Sequence, residues 1–158
     1  MSKQKRSETK AGSGEPTRHR EIIVTNPESG ARTLWRRAGR CCARHRGVEP
    51  DADLSAKADE TSLHITVEAT HPCGIKWMHG SLVIMEPGES IDEGWEKELD
   101  AKFSCDPHVT DVTVRWAWGE NEDHALPVAD LTGCRIHIIL YVWSCCDDFT
   151  ELKKDLKV

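Results

Sequence analysis

The charge of this chain changes sign near residue 50, and this division limits where a folded core can lie. Residues 1–50 carry twelve Lys or Arg and five Asp or Glu, a net charge of +7. Residues 51–158 carry nine and twenty-two, a net charge of −13. The start of the chain is rich in charged and small residues and offers little apolar surface for burial. We therefore expect residues 1–32 to form a disordered basic arm and the folded domain to follow it.

The length of 158 residues suits one domain and is short for two. The first residues show no apolar run of the kind found in a signal peptide. The longest apolar stretch, residues 136–146, is shorter than the roughly 20 residues that cross a bilayer. We therefore expect no membrane association and a cytoplasmic or nuclear location. The seven Cys are then expected to be reduced thiols or metal ligands rather than disulfides, because disulfides are rare in those compartments.

Residues 33–46 show the spacing of an amphipathic helix, since Leu34, Ala38 and Cys42 recur every four residues. We predict a short basic helix there. Residues 47–60 contain Gly, Pro and several Asp, a composition typical of a linker.

The acidic remainder, residues 61–158, reads as two similar units, each a pair of strands followed by a helix. In the first unit, Ser62–Thr70 alternates apolar and polar residues, and Ile75–Met85 returns as a second strand. Ser90 and Glu93 then form a capping-box pattern, followed by apolar residues at helical spacing.

The second unit repeats this order. Strands are predicted at residues 112–118 and 134–143, and a last helix begins at Asp147 or Asp148. The predicted fold class is therefore α+β. We expect a ββαββα domain with one four-stranded sheet and helices mainly on one face, preceded by the arm and the short helix.

The Trp residues are expected to contribute mainly to the core. Trp95, Trp116 and Trp143 are assigned to it directly. Trp77 and Trp118 lie near strand ends, where partial exposure would suit protein recognition, although core packing is favoured for both.

The predicted strand order brings several Cys and His residues to one end of the sheet. Zinc takes thiolate and imidazole ligands in a tetrahedral site, and Cys105-x-x-His108 has a short ligand spacing. We predict a structural zinc site with these ligands: Cys73, Cys105, His108 and Cys145. His71 and Cys146 lie beside them as alternative ligands. The competing interpretation is that these Cys are small buried hydrophobic residues.

The basic helix and the arm form the candidate nucleic-acid-binding segment. Guanidinium groups at every fourth residue can face phosphates, and an indole ring can stack on an unpaired base, which favours RNA over DNA. The predicted contacts are Trp35, Arg36, Arg37, Arg40 and Arg44. The alternatives are a solvated helix or an arm that docks on the acidic body.

No nucleophile elbow, P-loop or dinucleotide-binding loop occurs in the sequence, so an enzyme is not expected. We predict a non-enzymatic regulatory accessory protein, a type that viruses also encode. Its residues 1–46 would contact nucleic acid, and its acidic body would contact a protein partner. The first alternative is a protein–protein adaptor whose arm binds an acidic protein surface, and the second is an enzyme of unknown chemistry. Homo-oligomer formation is left open.

Overall fold

The structure is a computed structural model that describes residues 40–105 and 110–158. Within these ranges the chain forms seven β-strands and one helical turn, at residues 40–44. The strands are β1 (Asp51–Ala58), β2 (Ser62–Thr70), β3 (Ile75–Met85), β4 (Trp95–Lys102), β5 (Asp111–Gly119), β6 (Arg135–Ser144) and β7 (Phe149–Lys157). No helix in the described ranges is long and apolar enough to cross a membrane.

The strands form two antiparallel sheets that pack face to face. One sheet has the order β1-β2-β5 and the other the order β4-β3-β6-β7. This two-sheet arrangement is the architecture shared by immunoglobulin-like sandwiches. The α+β prediction is therefore wrong, since the described chain is almost entirely β-structure.

The core lies between the two sheets and comes from simple alternation along the strands. In β2, Leu63, Ile65 and Val67 are fully buried, and in β6 the residues from Ile136 to Val142 alternate in the same way. A strand that points every second side chain inward needs this period of two. The four strands predicted from alternation and apolar runs, now β2, β3, β5 and β6, are confirmed.

Both predicted helices of the body are strands at the edges of the four-stranded sheet. The first is β4, in which Leu99 and Ala101 are buried while Glu98 and Asp100 are exposed. The second is β7, which pairs with β6 along its whole length. Apolar residues four positions apart lie on the same face of a strand as well as of a helix. This spacing therefore could not distinguish a strand from a helix.

The capping-box pattern is present but closes a turn instead of a helix. The backbone N–H of Ser90 donates to Glu93 Oε1 at 2.8 Å, and the N–H of Glu93 donates to the Ser90 carbonyl at 3.1 Å. The segment predicted as a linker, residues 47–60, contains β1, which pairs with β2 from Asp51↔Thr70 to Ala58↔Leu63. Of the predicted basic helix, residues 33–39 lie outside the described residues.

The turn between β1 and β2 is organised by the carboxylate of Asp59. Its Oδ1 accepts hydrogen bonds from the backbone N–H groups of Thr61 and Ser62, both at 2.9 Å, and from their two hydroxyl groups. These donors, the Thr61 N–H first among them, hold the pKa of Asp59 below its ordinary range because they favour the charged form.

We expect the Asp59 carboxyl, followed by NMR, to titrate at a lower pH than the same residue in a peptide of residues 57–64. Because the folded-state pKa is lowered, the stabilisation is present above the unfolded-state pKa. It is lost as the pH falls through the folded-state pKa. Replacing Thr61 and Ser62 together by Ala removes two of the four donors and should raise the folded-state pKa. A pKa equal to that of the peptide would contradict this turn geometry.

Candidate functional site

Six of the seven cysteines lie at one end of the sandwich and form three disulfides. The pairs are Cys41 with Cys73, Cys42 with Cys146, and Cys105 with Cys145. We call this group of six residues the cystine end. It ties the helical turn at residues 40–44 to the sandwich through two bonds and ties the segment after β4 to the turn after β6 through the third.

The antiparallel pairing of the strands explains why these residues meet. β2 ends where β3 begins, β4 runs antiparallel to β3, and β6 also runs antiparallel to β3. The turn that holds Cys73, the segment that holds Cys105 and the turn that holds Cys145 therefore share one end. The segment of β4 was predicted as a helix antiparallel to β3. Such a helix would run in the same direction as β4 does, so the prediction still placed Cys105 at the correct end of the sheet.

The expectation that the cysteines are unpaired thiols is wrong for these six residues. Cys41 and Cys42 belong to the segment predicted as a short basic helix, residues 33–46, and each is bonded to the body. Disulfides persist in oxidising compartments, so the pairing does not favour a cytoplasmic or nuclear location. That location stays a prediction.

His45 was not among the predicted ligands but lies beside the cystine end. Its Nδ1 lies 3.6 Å from Cys41 Sγ and 3.7 Å from Cys73 Sγ. Among the residues that the structure describes, two groups are close enough to hold a metal ion, with ligand atoms within 4.8 Å of one another: Cys41, His45 and Cys73, and Cys42, Cys73 and Cys146. The domain thus carries Cys and His groups of metal-site dimensions. The i, i+4 spacing of Cys41 and His45 on a helical turn was the signal for this in the sequence.

The predicted zinc ligands are placed differently. Cys105 and Cys145 are bonded to each other, Cys73 is bonded to Cys41, and His108 lies outside the described residues. A disulfide sulfur has no thiolate to offer a metal. This particular set stays a prediction for the thiol form of the protein.

His71 is buried at the same end and has a structural role. Its Nδ1 accepts the backbone N–H of Cys73 at 3.0 Å, so the ring proton lies on Nε2 and is donated to the Val48 carbonyl at 2.9 Å. Both ring nitrogens are therefore used in holding the segment before β1 against the β2–β3 turn.

Cys134 is the free cysteine, and it lies in the core. Burial raises the pKa of its thiol, and the nearby carboxylates Glu86 and Asp130 add to the effect. At neutral pH it is a protonated packing residue, not a ligand or nucleophile.

The predicted nucleic-acid contacts fall mostly outside the described residues. Trp35, Arg36 and Arg37 precede residue 40, and Arg40 and Arg44 are exposed on the helical turn. Nucleic-acid binding therefore stays a prediction.

The outer face of the four-stranded sheet carries a second constellation. Cross-strand pairing places outward side chains in rows that run across β4, β3, β6 and β7. From the cystine end, the rows are Lys102, Trp77, Trp143, Phe149; then Asp100, His79, Tyr141, Glu151; then Glu98, Ser81, Ile139, Lys153; then Glu96, Val83, His137, Asp155. The first two rows contain five rings and are bordered by charged residues on the two edge strands.

We call these five rings the aromatic face: Trp77, His79, Tyr141, Trp143 and Phe149. Ring centroids lie 3.9 Å apart for Trp77 and His79, 4.8 Å for Trp143 and Phe149, and 5.6 Å for His79 and Tyr141. Four of the five rings are partly buried, and Phe149 is 45% exposed. Such a contiguous group of partly exposed rings is a common mark of an interaction surface.

Hydrogen bonds fix the polar edges of these rings. Trp143 Nε1 donates to His79 Nε2 at 3.0 Å, and Trp77 Nε1 donates to Asp100 Oδ1 at 2.5 Å. Tyr141 donates its hydroxyl to Glu151 at 2.9 Å, and this bond raises the pKa of the phenol because it favours the protonated form. The rings are therefore held in place, stacked on one another, with part of each ring accessible to solvent.

Two of the Trp assignments are corrected accordingly. Trp77 and Trp143, for which core packing was favoured, lie on the aromatic face and are partly exposed, whereas core packing is confirmed for Trp118, which is 2% exposed. Trp95 and Trp116 are partly buried and pack against the core. Trp143 was missed because the alternation of β6 was interpreted as one continuous apolar run.

Comparisons with known proteins find little. No family model matches the chain, and no curated protein matches it. Two crystal structures of OgpA from Akkermansia muciniphila align with a TM-score of 0.38 and 7% identity: the wild type, and a catalytic inactive form in complex with an O-glycopeptide (glycodrosocin) substrate. The alignment covers 70% of this chain and 29% of OgpA. At this level of similarity the two chains need share neither fold nor function.

Proposed function

We propose that this domain is a non-enzymatic protein-binding module that holds a basic segment of a partner protein against the aromatic face. The observation that carries the proposal is the row of rings bordered on both sides by carboxylates. Asp100 lies on one edge strand and Glu151 on the other, directly across the sheet from each other in the same row.

The faces of indole and phenol rings attract cations, and Arg and Lys side chains are the cations that a protein partner offers. The domain already shows one such contact, since Lys102 Nζ lies 5.7 Å from the centre of the Trp77 ring. The charge of −13 over residues 51–158 would attract a basic partner from a distance. The same charge disfavours a phosphate backbone as ligand of this face.

The dimensions fit an extended peptide. Four strands about 4.8 Å apart make a face about 14 Å wide, and successive rows lie about 6.8 Å apart along the strands. Side chains i and i+2 of an extended peptide have this same separation. A segment with Arg or Lys at every second position would place one cation on each of the two ring-bearing rows.

A hexa-arginine peptide serves as the probe, and calorimetric titration measures its affinity. We expect Trp77→Ala and Trp143→Ala each to weaken binding by about tenfold. A cation–π contact contributes about 0.5–2 kcal/mol, and a tenfold change corresponds to 1.4 kcal/mol. Asp100→Asn with Glu151→Gln should also weaken binding and reduce its dependence on salt.

Two lysines of β4 provide a matched control. Lys102→Gln removes a cation from the Trp77 ring and should strengthen binding more than Lys97→Gln does, although both remove one positive charge. Glu68→Gln lies on the other sheet and should leave the affinity nearly unchanged. If Lys97→Gln and Lys102→Gln strengthen binding equally, Glu68→Gln weakens it as much as a change at Asp100 or Glu151 does, and the two Trp variants have no effect, then only net charge matters and the proposal is wrong. Tighter binding of a neutral oligosaccharide or an RNA oligonucleotide would assign the aromatic face to a different ligand.

A further inference from the structure

The helical turn at residues 40–44 is attached to the sandwich at one small spot. Two disulfides meet there, because the sulfurs of Cys42, Cys73 and Cys146 lie within 4.8 Å of one another. His45 stands beside them with its Nδ1 facing the Cys41–Cys73 sulfurs. Four thiols and one imidazole would be concentrated here if the two bonds were reduced.

The spacing of the nitrogen and the sulfurs matches a tetrahedral zinc site. With zinc–sulfur bonds of about 2.3 Å and zinc–nitrogen bonds of about 2.0–2.1 Å, tetrahedral ligands place sulfur and nitrogen about 3.6 Å apart. The observed distances from His45 Nδ1 are 3.6 Å to Cys41 Sγ and 3.7 Å to Cys73 Sγ. The Cys41 and Cys73 sulfurs would have to separate to about 3.8 Å once the bond between them is broken, and the fourth ligand, Cys42 or Cys146, which lies within 4.8 Å of Cys73, would have to move closer to Cys41 and His45.

We propose that the thiol form of this protein binds one zinc ion through Cys41, His45 and Cys73, with Cys42 or Cys146 as the fourth ligand. Three thiolates and one imidazole form a closed structural site. This site is independent of the aromatic face and of any partner bound there.

The chemistry needs a reductant of the dithiol class. Each of the two disulfides accepts two electrons and two protons from one dithiol, which becomes a cyclic disulfide, and four protein thiols result. Zn²⁺ then replaces the proton on each of three thiols, releasing three protons, while the fourth thiol stays protonated. His45 Nδ1, which lies 3.0 Å from the Cys41 carbonyl, exchanges that contact for the metal and carries its proton on Nε2.

As a consequence, the helical turn at residues 40–44 stays attached to the sandwich under both oxidising and reducing conditions. In an oxidising compartment two disulfides hold it, and in a reducing compartment zinc would hold the same residues together. The helical turn at residues 40–44 would then be held at the same point of the sandwich in either compartment.

The test compares the full chain, oxidised or reduced with dithiothreitol, during zinc titration followed by native mass spectrometry and far-UV circular dichroism. We expect one zinc per reduced chain and none per oxidised chain. If the reduced chain loses sheet structure, zinc should restore it. A reduced chain that neither retains zinc nor regains sheet structure overturns the proposal.

Variants locate the site. His45→Ala should weaken zinc binding by at least about 100-fold, since loss of even an outer-shell partner costs about 10- to 100-fold. In the oxidised form the same variant should keep its thermal midpoint. Cys134→Ser and Cys105→Ser should keep the zinc affinity within about threefold. Zinc binding that is lost in Cys105→Ser or His108→Ala but survives His45→Ala would refute this site in favour of the set Cys73, Cys105, His108 and Cys145.

Discussion

Replacing Cys42 and Cys146 together by Ala should lower the free energy of unfolding by about 3–4 kcal/mol. The two residues are 104 positions apart, but the Cys41–Cys73 and Cys105–Cys145 bonds shorten the covalent path between them to about 35 residues, and a cross-link that closes a loop of this size removes about 3.8 kcal/mol of chain entropy from the unfolded state. The chain between the two residues contains β1 to β6. Denaturation by urea under non-reducing conditions, followed by tryptophan fluorescence, measures the effect.

Cys134→Ala is the matched control, because it removes one sulfur that is buried but makes no bond. It should cost about 1 kcal/mol, the effect of deleting one core atom. Adding dithiothreitol to the wild type should lower stability by at least as much as the double variant. A double variant that unfolds at the same urea concentration as the wild type would show that the chain is not cross-linked there.

Gly80→Ala should destabilise the domain by about 3 kcal/mol or more. A Cβ at this position would lie 2.0 Å from the Ile139 carbonyl oxygen and 2.7 Å from Leu140 Cα, on the neighbouring strand β6. These are backbone atoms in the centre of the sheet, so no side chain can rotate away, and overpacked positions commonly cost about 1–3 kcal/mol even where some relaxation is available. Thermal unfolding followed by circular dichroism is the measurement.

Gly47→Ala is the control variant, because it replaces a glycine at a position where the added Cβ meets no neighbouring atom. Gly47 has a φ of +79° and nothing within 4 Å of an added Cβ, so the change costs only about 1–2 kcal/mol of backbone strain. Gly80→Ala should therefore be the less stable of the two variants, or should fail to fold while Gly47→Ala folds. The opposite order would mean that β3 and β6 do not approach each other in this way.

The interior strands could be predicted from the sequence because burial imposes a period of two on them. Leu63, Ile65 and Val67 in β2 alternate with polar residues, and that pattern has one structural meaning. β1 was missed because its inward residues include Ala52 and Ala56, which carry too little apolar surface to stand out from a polar segment.

The edge strands β4 and β7 were misassigned as helices for a related reason. An edge strand is often rich in charged residues, since charges discourage pairing with the edge of another molecule. β4 has the sequence WEKELDAK and β7 the sequence FTELKKDLK, in which Glu and Lys, good helix formers, outnumber β-branched residues. β4 and β7 are strands because they pair with β3 and β6, and this long-range pairing cannot be predicted from the local sequence.

The cystine end was partly predictable. The gathering of Cys73, Cys105 and Cys145 follows from the direction of successive elements alone. Their partners do not, because six cysteines allow fifteen pairings and the choice depends on where residues 40–44 dock. The adjacent pairs Cys41-Cys42 and Cys145-Cys146 were the available clue, since neighbouring cysteines on one turn can bond to two different segments.

The Cys42–Cys146 bond also determines how the domain responds to a pulling force. A force applied between Arg40 and Val158 passes along residues 40–42, through the disulfide and along residues 146–158, and so bypasses β1 to β6. With at most about 3.6 Å per residue, this path can lengthen to roughly 55 Å, against roughly 420 Å for the uncrosslinked chain. Tension can peel away β7 but cannot extend the six strands enclosed by the bond. Under load the aromatic face would lose Phe149, and the neighbouring carboxylate of Glu151 would leave with it, while Trp77 and Trp143 stayed in place.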